Sequence, residues 1–160
     1  MITLNRLKEL LRYDPETGDL IWIVNRRGKY GRIGVGAGTF APEAIYVGLD
    51  GRIYLAHRLV WLITHEEWPK GQIDHIDGDP HNNRLSNLRD STHAVNQQNR
   101  RKPQCNNNTG VLGVTRYGDR FYTQINKGGK NYDLGHYATL EEASEVYLKK
   151  KRELHEGCTL

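Results

Sequence analysis

The chain has 160 residues, 37% of them apolar and 26% charged, with a net charge of +4; this suits one ordinary globular domain or two small ones. No apolar run approaches the roughly 20 residues a membrane helix needs, and residues 1–10 carry Arg6, Lys8 and Glu9, unlike a secretory signal. A cytoplasmic protein with no membrane partner is therefore expected, and the two cysteines, Cys105 and Cys158, which lack a CxxC partner, argue against a disulfide framework and a zinc knuckle.

Charge is distributed unevenly. Residues 1–96 hold 12 Lys/Arg against 12 Asp/Glu, whereas residues 97–160 hold 11 against 7. Positive charge gathered in one part of a chain points to a polyanionic partner.

In chain order, Thr3 is placed to cap a short helix whose leucines at 4, 7, 10 and 11 share a face. Asp14-Pro15-Glu16-Thr17-Gly18 signals a turn, and residues 20–24 with Trp22 a short strand. Residues 25–38 read as a loop whose Arg26, Arg27, Lys29 and Arg32 are available to touch phosphates. Asp50-Gly51, between the apolar runs 45–49 and 52–55, is a hairpin signal. Residues 57–65 form a compact helix candidate ended by Pro69 and Gly71. A strand over 72–76, a polar loop over 77–86, a returning strand over 87–89 and a polar helix from Ser91 or Thr92 to about Arg100 follow. Residues 103–109, with Pro103 and Asn106-Asn107-Asn108, read as a linker. Beyond it come three strands, 111–116, 120–126 and 130–134, turned at Gly118-Asp119 and Gly128-Gly129, and a helix to about Leu154 opened by the capping box of Thr139 and Glu142.

The chemistry concentrates in Ile73-Asp74-His75-Ile76-Asp77-Gly78-Asp79. Strand neighbours point to opposite faces, so Asp74 and His75 do not face one ligand side by side without a bend. One is able to hold a metal while the other reaches a water beside it. A second oxygen ligand must come from elsewhere, and Asn96 on the following helix is the candidate. Carboxylate and amide oxygens suit a hard cation that keeps several waters. Asp77, Gly78 and Asp79 are turn formers. His57 is expected to cap and anchor its helix. His65, His81, His136 and His155 read as surface residues, with His93 a reserve candidate for the site.

This stretch resembles the HNH endonuclease family in its phage homing-type branch, through His57-Arg58-Leu59-Val60-Trp61, Asp74-His75-Ile76-Asp77-Gly78, Asn82-Asn83, Asn87-Leu88-Arg89 and Asn96. The resemblance implies a ββα-metal nuclease core of two antiparallel strands and a helix around one divalent cation, Mg²⁺ or Mn²⁺, with no zinc and no small-molecule cofactor. It implies His75 as general base, Asn87 as the central asparagine that fixes the loop and orients the histidine, and Asp74 and Asn96 as metal ligands. The third motif position is Asn rather than His, as is common in that branch.

In residues 120–126, Phe121, Thr123 and Ile125 alternate with Arg120, Tyr122, Gln124 and Asn126. The first set suits packing on a helix. The second carries cation, aromatic and amide groups fit for the major groove. Asn108-Thr109-Gly110-Val111-Leu112-Gly113-Val114, Leu134-Gly135-His136-Tyr137 and the helix after Thr139 resemble an apetala-type (ethylene-response-factor-like) DNA-binding domain. That implies a three-stranded sheet on one helix, with Thr115, Gln124, Asn126, Asn131 and Asp133 at contact positions. Arg100, Arg101, Lys102, Thr115, Arg116, Arg120, Tyr122, Gln124, Asn126 and Lys130 are the candidate DNA-binding residues.

The expectation is an α+β chain: a β-rich part over 1–56, a nuclease core over 57–102, the linker, and a DNA-binding domain over 110–160. It is expected to hydrolyse phosphodiester bonds of double-stranded DNA, nicking one strand as a monomer or weak dimer. The alternative is a catalytically inactive, sequence-specific DNA-binding protein. An RNA-directed nuclease ranks lower, because no aromatic stacking platform stands out.

Overall fold

A computed structural model describes residues 1–27 and 31–160; Lys29 of the basic loop lies outside the described residues. The chain divides into two compact units, residues 1–92 and 93–160. Among the described residues it is a mixed α and β structure with four α-helices and four small antiparallel sheets.

In the first unit, α1 (Leu4–Leu10) is capped as expected, Thr3 Oγ1 accepting the Arg6 N–H at 3.3 Å. The chain turns extended at Leu11 and enters β1 (Leu11–Tyr13), which pairs with β2 (Leu20–Trp22). The leucine pattern conceals this strand, because Leu11 falls on the same helical face as Leu4, Leu7 and Leu10. The connecting turn is closed by Asp14 Oδ1, which accepts the N–H groups of Glu16 and Thr17. A meander of β3 (Thr39–Ala41), β4 (Ala44–Leu49) and β5 (Arg52–Leu55) follows. Asp50 and Gly51 at its second turn both take positive φ, 46° and 77°, as a type I′ hairpin demands. Strand β3 carries no signal in the sequence.

Helix α2 (Ala56–His65) stops earlier than Pro69 would require: Glu66 adopts the left-handed conformation, and its carboxylate accepts from Lys8 Nζ at 2.8 Å. Strands β6 (Gln72–His75) and β7 (Leu88–Ser91) pair from Gln72↔Ser91 to His75↔Leu88. Residues Leu85–Asn87 form a 3₁₀ turn, so Asn87 precedes the returning strand. Burial of Leu7, Leu11, Val47, Leu49, Leu59 and Val60, each under 2% exposed or close to it, gives the unit one apolar core that also takes in Ile73 and Leu88 of the β6–β7 ribbon. That shared core fixes the ribbon against α2.

In the second unit, β8 (Val114–Tyr117), β9 (Arg120–Lys127) and β10 (Lys130–Tyr137) form an antiparallel sheet in the order β10-β9-β8, with α4 (Leu140–Leu154) packed on it. Both halves of the Thr139–Glu142 capping box are made. Strand β8 starts at Val114 rather than 111 because Asn107 ties up the residues before it. Its Oδ1 accepts from Thr109 and Gly110 N–H, and its Nδ2 donates to the carbonyls of Val111 and Val114. Gly113, at φ 74°, lies where a Cβ would collide with the Tyr147 ring.

Helix α3 (His93–Gln98) belongs to this unit. Its end and the residues after it are bound to the C-terminal tail. Gln98 Oε1 accepts Gly157 N–H at 3.1 Å, Asn99 Oδ1 accepts the Thr159 hydroxyl at 2.6 Å, and Arg101 Nη2 donates to the Thr159 carbonyl at 3.1 Å. The buried Lys151 ammonium donates to the Arg100 carbonyl. By internal contacts the division falls ahead of His93, and residues 107–109 of the expected linker form a hydrogen-bonded loop.

Candidate active site

The site is built on the last residues of β6 and the loop that joins it to β7. Asn87, only 8% exposed, holds that loop with its whole side chain. Its Oδ1 accepts the Asp77 N–H at 2.9 Å, and its Nδ2 donates to Asp77 Oδ1 at 2.9 Å and to the Asn82 carbonyl at 2.8 Å. Its own carbonyl takes the Ile76 N–H at 2.8 Å. Asp77 in turn accepts from Asp79 N–H and Asn82 Nδ2, and Gly78 turns the chain at φ 75°. Burial pushes the Asp77 carboxyl up, but those hydrogen bonds outweigh it and the net direction is downward. The expected turn at 77–79 is present, and it is buttressed from Asn82 and Asn87.

His75 emerges from this frame. Its Nε2 lies 3.0 Å from Asn83 Oδ1, and its ring meets that of His57 edge-on with centroids 5.2 Å apart. Sequence reasoning expected Asn87 to orient the histidine; in the structure Asn87 fixes the loop and Asn83 touches the ring. It also expected His57 to cap α2. The cap is Leu55, with no side-chain bond, and the His57 ring instead lies against His75. Burial, followed by the nearby His75 and Arg58, lowers the His57 pKa to about 4. No spacing rule relates residues 57 and 75; only the folded chain brings their rings together. His81, expected at the surface, is docked on β3, with its Nε2 2.7 Å from the Ala41 carbonyl and its ring near Phe40.

Asp74 is 6% exposed and points across the ribbon to its partner Arg89, whose Nε and Nη2 donate to Oδ2 at 2.9 and 2.6 Å. Adjacent strand residues diverge, and Asp74 and His75 do so. Asn96, on α3, lies in the second unit and His93 opens the same helix.

Residues 54–98 match the HNH endonuclease family. Over 102 residues the chain is 33% identical to Protein 3.8 of Escherichia phage T7, an alignment that spans 62% of this chain and 83% of that protein. The chain belongs to the HNH endonuclease family. No solved structure matches it.

HNH endonucleases are nucleases that act on DNA and generally use a divalent metal. The buried carboxylate of Asp74 is a hard oxygen donor of the kind such a cation takes. Among the described residues, no group of three or more His, Cys, Asp or Glu is arranged to hold a metal. No helix of the described residues is long and apolar enough to cross a membrane.

In the second unit the alternation in β9 is as expected. Thr123 and Ile125 are buried under α4, while Arg120, Gln124 and Asn126 are exposed. Register then sorts the other candidates, because directly paired residues share a face. Thr115 and His136 flank Tyr122, Tyr117 pairs with Arg120, Asp133 with Gln124, and Asn131 with Asn126. All of these lie on the outer face. Arg116 pairs with Phe121 and Lys130 with Lys127, which puts both on the helix-side face, at its exposed margins, and off the outer face. Tyr117 and His136 are the outer-face residues that sequence reasoning missed; their rings are 5.8 Å apart, and Tyr122 lies 4.8 Å from His136. Arg100 and Lys102 are exposed, whereas Arg101 is half-buried against Thr159.

Proposed function

We propose that this HNH endonuclease nicks double-stranded DNA, with His75 as general base and with Asp74 and Asn96 as the protein ligands of a single Mg²⁺- or Mn²⁺-type cation. The observation that carries the reading is the His75 imidazole, fixed at the end of β6 by a buried amide on a loop that Asn87 locks. A base must be held in one orientation to take a proton from a positioned water. Neutral His75 removes that proton, the water oxygen attacks the phosphorus, the bond to the 3′ oxygen breaks, and that oxygen takes a proton from solvent. A 5′-phosphate and a 3′-hydroxyl result. When bound, the cation offsets negative charge on the phosphate oxygens. Asn87 is a positioning residue throughout, since its side chain is engaged within the loop.

The outer face of the β8–β9–β10 sheet supports an apetala-type role in gripping duplex DNA, with Thr115, Arg120, Tyr122, Gln124 and Asn126 toward base edges. Arg100, Arg101 and Lys102 serve the phosphates, with Arg116 and Lys130 reaching them from the sheet margins. A nuclease core over 57–102 and a DNA-binding domain over 110–160 are the functional domains of this proposal, and one site per chain accounts for nicking by a monomer. The place of action is the cytoplasm of a bacterial host.

Supercoiled plasmid tests this reading. Wild type converts it to open circle with Mg²⁺ and not with EDTA. His75→Ala is expected to lower the rate about 1,000-fold, within the usual range for losing a general base, while plasmid binding in a gel-shift assay is unchanged. Cleavage by His75→Ala at the wild-type rate would remove the role assigned to that residue.

A further inference from the structure

We propose that Asn83, braced by the β1–β2 hairpin, is the positioning residue that sets the tautomer and direction of the His75 ring. This inference rests on the reading of His75 as the base and adds to it a part of the chain that lies outside residues 54–98.

Asn83 is 2% exposed, and its Oδ1 stands 3.0 Å from His75 Nε2. A carbonyl oxygen can only accept. Nε2 therefore carries the hydrogen, and in a neutral ring the lone pair sits on Nδ1. The amide of Asn87 is directed to Asp77 and Asn82, which leaves Asn83 as the loop amide at the ring. His57 meets the same ring edge-on, so the imidazole is gripped both at one nitrogen and by its packing.

Asn83 is itself pinned from the N-terminal hairpin. The Tyr13 hydroxyl donates to the Asn83 carbonyl at 3.3 Å and accepts the Leu85 N–H at 2.9 Å. Arg84 Nε donates to the Glu16 carbonyl at 2.6 Å. Gly18, at φ 86°, leaves no gap, because a Cβ there would lie 2.6 Å from Arg84 N and 2.8 Å from the Asn83 carbonyl carbon. Three residues of β1 and its turn, Tyr13, Glu16 and Gly18, thus converge on residues 83 to 85. A hairpin that served only to grip DNA would have no need of such contacts to the loop beneath the imidazole. The wrong tautomer would present N–H instead of a lone pair to the water, which disables a base without removing it.

The test uses the full chain labelled with ¹⁵N-histidine. Long-range ¹H–¹⁵N correlation at pH 8, with His75 assigned by its disappearance in His75→Ala, reads the tautomer directly. Plasmid nicking under single-turnover conditions with Mg²⁺ reads the consequence. Wild type is expected to show His75 wholly as Nε2–H. Asn83→Leu is expected to show a mixture and to lose about 100-fold in the nicking rate at saturating enzyme, with the half-saturating concentration unchanged. Asn83→Asp, which keeps an acceptor oxygen, should restore the single tautomer and most of the rate. Tyr13→Phe should lose several-fold. An Nδ1–H tautomer in wild type overturns the proposal, and this reading needs no variant to fold. So does a rate for Asn83→Leu within twofold of wild type. If His75→Ala itself cleaves at full rate, the base assignment falls first; if His75→Ala is inactive and Asn83→Leu is not impaired, only the present inference falls.

Discussion

His57 is a histidine held neutral by its surroundings. In the folded chain its pKa is lowered from 6.5 to about 4, first by burial and then by His75 and Arg58. The unfolded chain, with an ordinary histidine, binds the proton more readily. Stability contributed by the neutral ring is thus fully present above pH 6.5 and is lost progressively as pH falls toward about 4. The urea midpoint of wild type should fall across that window, and His57→Phe should flatten the fall; an equally steep dependence in the variant would assign it to other groups. The residue-level chemistry of the site was only partly legible in the sequence. Asp74, His75, Asn87 and Asn96 were singled out through a family resemblance, whereas the contacts of His57 and Asn83 with His75, 18 and 8 residues away, are encoded by no periodicity.

At the scale of elements, the loop between β6 and β7 is kept in shape by one amide. Asn87→Ala removes two bonds to backbone groups and one to Asp77, at about 1 kcal/mol each. A destabilisation of about 3 kcal/mol in chemical unfolding, with nicking depressed even at temperatures where the variant stays folded, is the expected outcome. Full activity in a folded variant would mean that the loop holds its shape without the amide. The elements that sequence patterns revealed were those with strong local signals: the Thr3 and Thr139 caps, the Asp50-Gly51 turn and the alternation of β9. The strands that escaped, β1 and β3, are three residues each, too short to display a period of two. The ends of α2 and β8 were displaced by interactions from a distance, Lys8 on Glu66 in one case and Asn107 on Val114 in the other.

At the scale of the whole chain, length and composition allowed one domain or two and located the excess positive charge after residue 96. They did not foretell that the polar helix α3 would be grouped with the second unit. Polar residues such as Gln98 and Asn99 are equally suited to solvent or to a partner strand of backbone, and only the folded tail reveals which they use. The tail residues Gly157 and Thr159 bond to Gln98, Asn99 and Arg101. Removing residues 157–160 should therefore raise amide hydrogen exchange across residues 93–99 by tenfold or more while β9 amides stay protected; equal protection in the shortened chain would show that the helix needs no such support.

For anyone preparing this enzyme, those few tail bonds bear on where a purification handle is attached. A bulky fusion joined directly after Leu160 would pull on the anchor of α3, so a preparation with a frayed helix would reflect the cloning design and not the chain itself. A long flexible spacer, or a handle placed at the other terminus ahead of Thr3, leaves that anchor untouched.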